Sequence, residues 1–85
     1  MLYHKPMDWE RAENPPRLRK TFRFPNFQEA LAFANRVGAL AEEKNHHPRL
    51  VVEWGRVTVE WWTHSQGGVT DKDLEMARLT DKLVE

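Results

Sequence analysis

The sequence predicts an α+β fold in which helices pack on one face of an antiparallel sheet. Two segments have the apolar spacing of amphipathic helices, and three shorter segments have the alternation or the β-rich composition of strands. Two of these strands are separated only by Gly55 and Arg56, which suits a tight antiparallel hairpin. The order strand, helix, strand, strand, helix is packed most economically with both helices on one side of the sheet.

The N-terminal arm, residues 1–17, is expected to be irregular. Pro6, Pro15 and Pro16 interrupt any long helix in this segment. We expect His4, within the arm, to be a solvated surface residue.

Residues 18–24 predict the first strand. Leu18, Phe22 and Phe24 fall on one side of an alternating pattern, and polar residues fall on the other. Lys20 is the one poor fit on the apolar side. The pattern indicates a strand that is buried on one face only.

The first helix is expected over residues 27–44. Asn26 is a good N-cap, and Glu29 follows it at the spacing of a capping box. Pro48 ensures that the helix has ended by the preceding residue. The apolar stripe predicted to face the core comprises Phe27, Leu31, Ala34, Val37 and Ala41.

The second half of the chain predicts a hairpin and a final helix. Residues 50–54 and 57–64 form the two hairpin strands. Thr70 is expected to cap the final helix, with Asp73 in the reciprocal capping position. The side of the second strand that is expected to face one way comprises Val57, Val59 and Trp61.

The aromatic residues divide into expected core residues and open cases. Four tryptophans among 85 residues are many, and their surface has to be buried in a core, an interface or a ligand site. Trp9, Trp54 and Trp62 fit a core, a subunit interface or the wall of a flat heteroaromatic ligand. The residues expected in the core are Phe22, Phe24, Phe27 and Trp61.

Length and composition exclude several classes of protein. A chain of 85 residues is expected to form one domain over residues 1–85. The 13 basic and 13 acidic residues balance, so nucleic acid is not an expected partner. The absence of cysteine excludes disulfides and thiolate chemistry. No apolar run approaches the roughly 20 residues that span a bilayer, and the N-terminus lacks a signal-peptide pattern, so we expect no membrane association and a cytoplasmic location.

Three histidines are the candidate chemical groups. His46 and His47 stand where the first helix ends, and His64 ends the second hairpin strand. Imidazoles exchange protons near neutral pH, so three of them at one sheet edge would suit acid–base catalysis. Glu42 precedes His46 by four residues, and on the same helix face it could orient an imidazole. The alternatives are a helix-dipole role, which needs no ligand, and a zinc site, which adjacent histidines suit poorly.

An ordered set of motifs extends from Trp9 to about residue 82. It comprises F-x-F-x-x-F, an alanine-rich helix, HHP, an aromatic residue six positions on, then TH, GG-V-T and an aspartate. Its members are Phe22, Phe24, Phe27, Val37, Ala41, Glu42, His46, His47, Pro48, Trp54, Thr63, His64, Gly68, Thr70 and Asp73. This set resembles the pterin-4a-carbinolamine dehydratases.

The resemblance implies a fold, an activity and partners. The fold is an antiparallel sheet of four strands with helices on one face. The activity is the dehydration of 4a-hydroxytetrahydropterin to quinonoid dihydropterin, which recycles a tetrahydrobiopterin-type cofactor and uses neither a metal nor a cofactor of its own. Members form dimers by extending the sheet across subunits, and often tetramers. A homodimer or homotetramer that binds a small pterin is therefore expected.

The resemblance also implies roles for the histidines. His46 and His64 are the acid and base candidates, in an order that the sequence leaves open, and His47 mainly holds the substrate. Two further candidates are Glu42, which would orient a histidine or contact the pterin, and Pro48, which would shape the pocket wall.

Some positions depart from the family pattern. Arg49 and Leu50 stand where the family has an acidic and then an aromatic residue, and Trp62 stands where it has a small hydroxyl residue. Trp62 is therefore a substrate-binding candidate that could narrow the pocket or pack at an interface. Asp73 is either a substrate-site residue or only a helix cap. These departures leave open a dehydratase acting on a molybdopterin- or folate-related pterin, and a protein-interaction module on the same fold.

Overall fold

The structure is a computed structural model that describes residues 8–84. The elements in chain order are β1 (Glu10–Ala12), β2 (Arg17–Arg23), α1 (Phe27–Lys44), β3 (Arg49–Glu53), β4 (Arg56–Trp61), a 3-10 turn (His64–Gln66) and α2 (Asp71–Lys82). The predictions for His4 and Pro6 lie outside the described residues. Within residues 8–84, neither helix has the length and apolar character that crossing a bilayer requires.

The four strands form one antiparallel sheet in the order β1-β2-β4-β3. Helix α1 packs against β3 and β4, and α2 packs against β2 and β4. The core lies between the helices and the sheet, and its sheet side is formed by Leu18, Phe22, Val57, Val59 and Trp61. The predicted α+β class, with four strands and helices on one face, is confirmed.

Part of the N-terminal arm is a strand, which corrects the expectation of an irregular segment. Residues Glu10–Ala12 pair with β2, and the side chain of Ala12 is buried. Trp9 is also buried, and its ring meets the edge of the Phe22 ring at a centroid distance of 5.9 Å. The prolines exclude a helix here, but a three-residue edge strand fits before them.

Helix α1 has the predicted bounds, but its buried stripe differs from the predicted one. The side-chain oxygen of Asn26 accepts a hydrogen bond from the backbone N–H of Glu29 and so caps the helix. Phe27 and Leu31 are each 44% exposed and lie outside the core. The buried residues are Ala30, Phe33, Ala34, Val37 and Ala41.

Aromatic packing explains the rotation of the stripe. The predicted and observed stripes share Ala34, Val37 and Ala41, but the prediction of Phe27 and Leu31 for the first half is wrong. Phe33 lies between Phe22 and Phe24, at centroid distances of 4.7 Å and 5.1 Å. Such ring contacts add to the burial of apolar area, and they select the face of α1 that carries Phe33.

The β3–β4 hairpin has a two-residue turn, but one position earlier than predicted. Glu53 pairs with Arg56, so the turn residues are Trp54 and Gly55. Gly55 has a φ of 76°, a left-handed conformation that glycine adopts at little cost, and this places it at the second turn position. Trp54 is 72% exposed on the turn and is not a core residue.

Lys20, the one charged residue on the apolar side of β2, is accommodated there by an ion-pair network at the edge of the core. The Lys20 ammonium lies 2.7 Å from a carboxylate oxygen of Asp8 and 2.8 Å from one of Asp81. The indole N–H of Trp9 donates to the same Asp81 carboxylate at 3.2 Å. The network therefore joins the start of the sheet to the last turns of α2.

Replacing Phe33 with alanine tests the corrected stripe. The side chain is fully buried, so Phe33→Ala should lower the free energy of unfolding by about 3–5 kcal/mol. Leu31→Ala, at a half-exposed position of the same helix, should cost less than about 1 kcal/mol. Urea unfolding followed by tryptophan fluorescence measures both. Equal losses in the two variants would contradict the observed stripe.

The Lys20 network should lose its effect at high pH. Burial lowers the pKa of Lys20, but the hydrogen bonds and charges of Asp8 and Asp81 outweigh it, and the pKa lies above the ordinary 10.5. Its stabilisation is then complete below the unfolded-state pKa and is lost as pH rises through the folded-state pKa.

Urea unfolding of the native protein and of Lys20→Met should therefore differ by a constant amount from about pH 8 to about pH 10, and by less above that. Lys72→Met removes an exposed lysine of α2 and serves as the control. A difference that stayed constant or grew above about pH 10.5 would refute this role of the ammonium.

Candidate active site

The exit of α1 fixes the position of His46. Asn45 ends the helix in a left-handed conformation with a φ of 53°. The chain then turns back, and the backbone N–H of His46 donates to the carbonyl of Ala41 at 3.1 Å. The imidazole of His46 lies parallel to the indole of Trp61, with 5.8 Å between ring centroids. The side chain is 15% exposed and thus nearly enclosed.

Asp73 holds His46 from the first turn of α2. The carboxylate is fully buried, and its Oδ1 lies 2.6 Å from Nε2 of His46. Its Oδ2 accepts a hydrogen bond from the backbone N–H of Thr70 at 2.9 Å, as the predicted capping box requires. With Nε2–H donating to the carboxylate, the neutral His46 ring has Nδ1 as its acceptor. Asp73 therefore both caps α2 and orients an imidazole.

Two threonine hydroxyls complete the hydrogen bonding around the Asp73 carboxylate. The hydroxyl of Thr63 donates to Oδ2 at 2.8 Å, and the Thr70 hydroxyl lies 2.8 Å from that of Thr63. Thr63 is itself fixed by a bridge to Gly68, whose carbonyl accepts its N–H at 2.8 Å. A buried carboxylate requires such partners, because unpaired charge in an apolar interior is costly.

Thr63 and Trp61 were missed as site residues by sequence reasoning. From the sequence, Thr63 belongs to the TH motif without a predicted role, and Trp61 is expected in the core only. The sequence signal available for Thr63 is its hydroxyl, directly before His64 in the chain. No sequence signal indicated that the Trp61 ring would also lie beside His46.

Glu42 is paired with His47, on the surface. Nε2 of His47 and Oε2 of Glu42 form a short hydrogen bond, and the two side chains are 56% and 78% exposed. The expectation that Glu42 shares a helix face with His46 is wrong, since the chain leaves the helix at Asn45. The four-residue spacing applies only while the helix continues. Pro48, next in the chain, is half-buried.

His64 lies in the 3-10 turn and not at the end of a strand, because β4 ends at Trp61. It is exposed, and its ring packs against that of Trp62 at a centroid distance of 4.7 Å. Within residues 8–84, no three His, Asp or Glu side chains are grouped so that they could hold a metal ion. The zinc alternative therefore has no assembled ligand set in the part of the chain that the structure describes.

The departures at Arg49 and Leu50 have structural roles. Arg49 lies 3.2 Å from Glu60, a carboxylate that is 3% exposed on the sheet face opposite the helices. Arg17 approaches the same carboxylate at 3.2 Å, and Arg19 at 4.0 Å. Leu50 is partly buried against the core. Arg49 thus neutralises a buried acid, and Leu50 contributes to packing.

The chain belongs to the pterin-4a-carbinolamine dehydratase family, since the family model described as Pterin 4 alpha carbinolamine dehydratase matches residues 1–83. It is 62% identical over 80 residues to a Chlorobium limicola protein with the provisional name pterin-4-alpha-carbinolamine dehydratase, covering 92% of this chain and 71% of that one. A Syntrophotalea carbinolica protein with the same provisional name is 54% identical over 80 residues, with the same coverage.

Two solved structures share the fold. A transcriptional coactivator/pterin dehydratase from Brucella melitensis superposes with a TM-score of 0.85 and 31% identity, over 93% of this chain and 85% of that one. A pterin dehydratase-like protein, identified as a RuBisCO assembly factor in the alpha-carboxysome, superposes with a TM-score of 0.76 and 24% identity, over 95% of both chains. The second match concerns the fold alone.

Replacing Asp73 with asparagine should release His46. The amide cannot satisfy all the donors that surround the carboxylate, so Asp73→Asn should cost about 1–3 kcal/mol of stability. The His46 ring should also lose its fixed tautomer, which ¹⁵N shifts of the imidazole would report. Asp71→Asn, an exposed acid in the same helical turn, should change neither quantity appreciably. A His46 tautomer unaltered by Asp73→Asn would contradict the assignment.

Proposed function

We propose that the protein dehydrates 4a-hydroxytetrahydropterin to quinonoid dihydropterin by histidine acid–base catalysis. The observation that carries the proposal is the buried Asp73 carboxylate at 2.6 Å from the nearly enclosed His46. A carboxylate that fixes the tautomer and direction of an imidazole is a recurrent device for proton transfer. Membership of the dehydratase family supplies the substrate class.

The reaction requires two proton transfers. The bond from C4a to its hydroxyl oxygen breaks, and the departing oxygen takes a proton to leave as water. The N5 hydrogen leaves as a proton, and its bonding electrons form the new double bond between C4a and N5. Each positioned transfer contributes about a hundred- to ten-thousand-fold in rate.

The two transfers are assigned to His46 and His64. Within residues 8–84, Nδ1 of His46 has no hydrogen-bond partner while Nε2 is held by Asp73, so Nδ1 is the acceptor for the N5 proton. His64, exposed at the 3-10 turn, is the donor to the departing oxygen. Thr63 links the two, since it precedes His64 and its hydroxyl donates to Asp73.

The remaining candidates would hold the pterin. His47, oriented by Glu42, lies at the surface next to His46 and would bind polar groups of the substrate. Trp62, whose ring contacts His64, offers an aromatic surface on which a flat pterin could stack. Pro48 would form part of the wall. Asp73 acts on the substrate only through His46.

The biological setting of the proposal is the recycling of a tetrahydrobiopterin-type cofactor in the cytoplasm by a homo-oligomer. Among residues 8–84, strand β3 has a partner strand on one side only, β4, so its outer edge would serve to extend the sheet across two subunits.

Stopped-flow absorbance of 4a-hydroxytetrahydropterin decay tests the proposal. His46→Ala and His64→Ala should each lower kcat by about a hundredfold or more, because each removes one proton transfer. His47→Ala should mainly raise KM. Arg78→Ala, at an exposed position of α2 to which no role in the site is assigned, is the control, with an unchanged rate. Near-normal turnover in both His46→Ala and His64→Ala, with the fold intact by circular dichroism, would refute the proposal.

A second candidate function is a protein-interaction module on the same fold. The observation that favours it is the Brucella melitensis neighbour, whose name combines coactivator and pterin dehydratase. Native protein that fails to accelerate decay of 4a-hydroxytetrahydropterin would favour this module or a different pterin. Tryptophan fluorescence titration with other pterins, with Trp62 beside the site, separates these two.

A further inference from the structure

The indole of Trp61, which lies parallel to the His46 imidazole, is itself held in place by α2. Its N–H donates to the hydroxyl oxygen of Thr80 at 3.1 Å, and both side chains are fully buried. A buried indole N–H needs an acceptor, because leaving it unpaired in an apolar interior is costly. Thr80 supplies that acceptor from the buried face of α2.

The hydroxyl of Thr80 acts on Trp61 as an acceptor only. Its proton is used within the helix, where it donates to the backbone carbonyl of Met76 at 2.6 Å. Threonine in a helix often makes this bond to the carbonyl four residues earlier. A hydroxyl has one proton and two acceptor lone pairs, so a lone pair remains for the indole N–H. The backbone of α2 therefore sets the direction of the indole through one side chain.

Helix α2 thus holds His46 at two places. Asp73, in its first turn, meets the edge of the imidazole at Nε2, 2.6 Å away. Thr80 lies seven residues later on the same buried face, close to two turns and about 10 Å along the helix. It fixes the indole that is stacked on the imidazole, with 5.8 Å between the ring centroids and 9° between the ring planes. One helix therefore sets both the in-plane partner and the facing ring of His46.

The proton transfer of the proposed reaction places a positive charge beside the Trp61 ring. The bond from N5 to its hydrogen breaks, the proton passes to Nδ1 of His46, and the bonding electrons form the double bond between C4a and N5. The imidazolium that results is only 15% exposed, so water solvates little of its charge. The face of an indole attracts a cation within about 6 Å of the ring centroid, most strongly where water is excluded. At 5.8 Å the Trp61 ring is within this reach.

We propose that Thr80 is a positioning residue of the dehydration that acts through Trp61. It keeps the indole stacked on His46, where the ring stabilises the imidazolium formed by the transfer from N5. This inference rests on the proposed function. Because Thr80 is fully buried, substrate does not reach it, and its effect falls on kcat and not on KM.

Thr80→Val, which is close in shape to the native residue but has no hydroxyl, tests the proposal by stopped-flow absorbance of 4a-hydroxytetrahydropterin decay. Its kcat should fall by about three- to thirtyfold with KM unchanged, the range that loss of a cation–π contact gives. Thr80→Ser keeps the acceptor and should retain the native kcat. Thr21→Val removes an exposed hydroxyl that pairs with Thr58, and it is the control with an unchanged kcat.

Two further measurements separate positioning from a loss of stability. Trp61→Phe keeps an aromatic ring but has no N–H, so adding Thr80→Val to it should lower kcat no further. The carbon-bound ring protons of His46 should shift in Thr80→Val, because the ring current of the indole changes, and they should stay in place in Thr21→Val. Thr80→Ala also lacks the hydroxyl and takes the place of Thr80→Val if circular dichroism shows that the valine variant does not fold.

The outcomes distinguish this inference from the proposed function. An unchanged kcat in the folded variant without the hydroxyl would overturn the inference alone. An equal loss of kcat in Thr80→Ser, or a further equal loss in the Trp61→Phe background, would also overturn it alone. Native protein that does not accelerate the decay would overturn the proposed function and this inference with it.

Discussion

The buried carboxylate of Asp73 is the interaction on which the arrangement of this protein depends. It joins three separate parts of the chain: the first turn of α2, the segment that follows β4, and the segment that follows α1. A fully buried carboxylate is tolerated only where hydrogen bonds replace its hydration. The same bonds that satisfy this requirement orient His46, so the demands of folding and the geometry of the site are met by one group.

A second polar network lies near the C-terminal end of α2, whereas Asp73 is in its first turn. Lys20, on the apolar side of β2, would be unfavourable there without Asp8 and Asp81. Because Trp9 also donates to Asp81, the short strand β1 is fastened to α2 through side chains as well as through its pairing with β2. The small core is thus bounded by polar contacts that specify how its elements meet.

The sequence predicted the class of fold, the bounds of α1, the caps at Asn26 and Thr70, and the inward side of β4. These features depend on local periodicity and local hydrogen bonds. The face of α1 was predicted wrongly because the choice of Phe33 over Phe27 depends on rings in β2. Strand β1 was missed because a three-residue edge strand has almost no periodicity.

In the candidate site, too, the sequence indicates the local features but not the tertiary contacts. The histidines and Asp73 are predicted as site residues from their residue types and spacing, and their roles in catalysis stay predictions. The carboxylate partner of each histidine was not predicted: Glu42 pairs with His47, and Asp73 pairs with His46. These pairings follow from the chain reversal at Asn45 and from the packing of α2, which are tertiary facts. The Trp61 ring beside His46 and the arginines around Glu60 are tertiary in the same sense.

The left-handed backbone at Asn45 limits how the protein can vary. Among the genetically encoded residues, only glycine, asparagine and aspartate adopt this conformation readily, so most single substitutions at this position carry strain. Few residue types are therefore tolerated at position 45, directly before His46, although no catalytic role is proposed for Asn45. A library that randomises the histidine segment while holding residue 45 to this set would keep far more folded members than one that varies all positions freely.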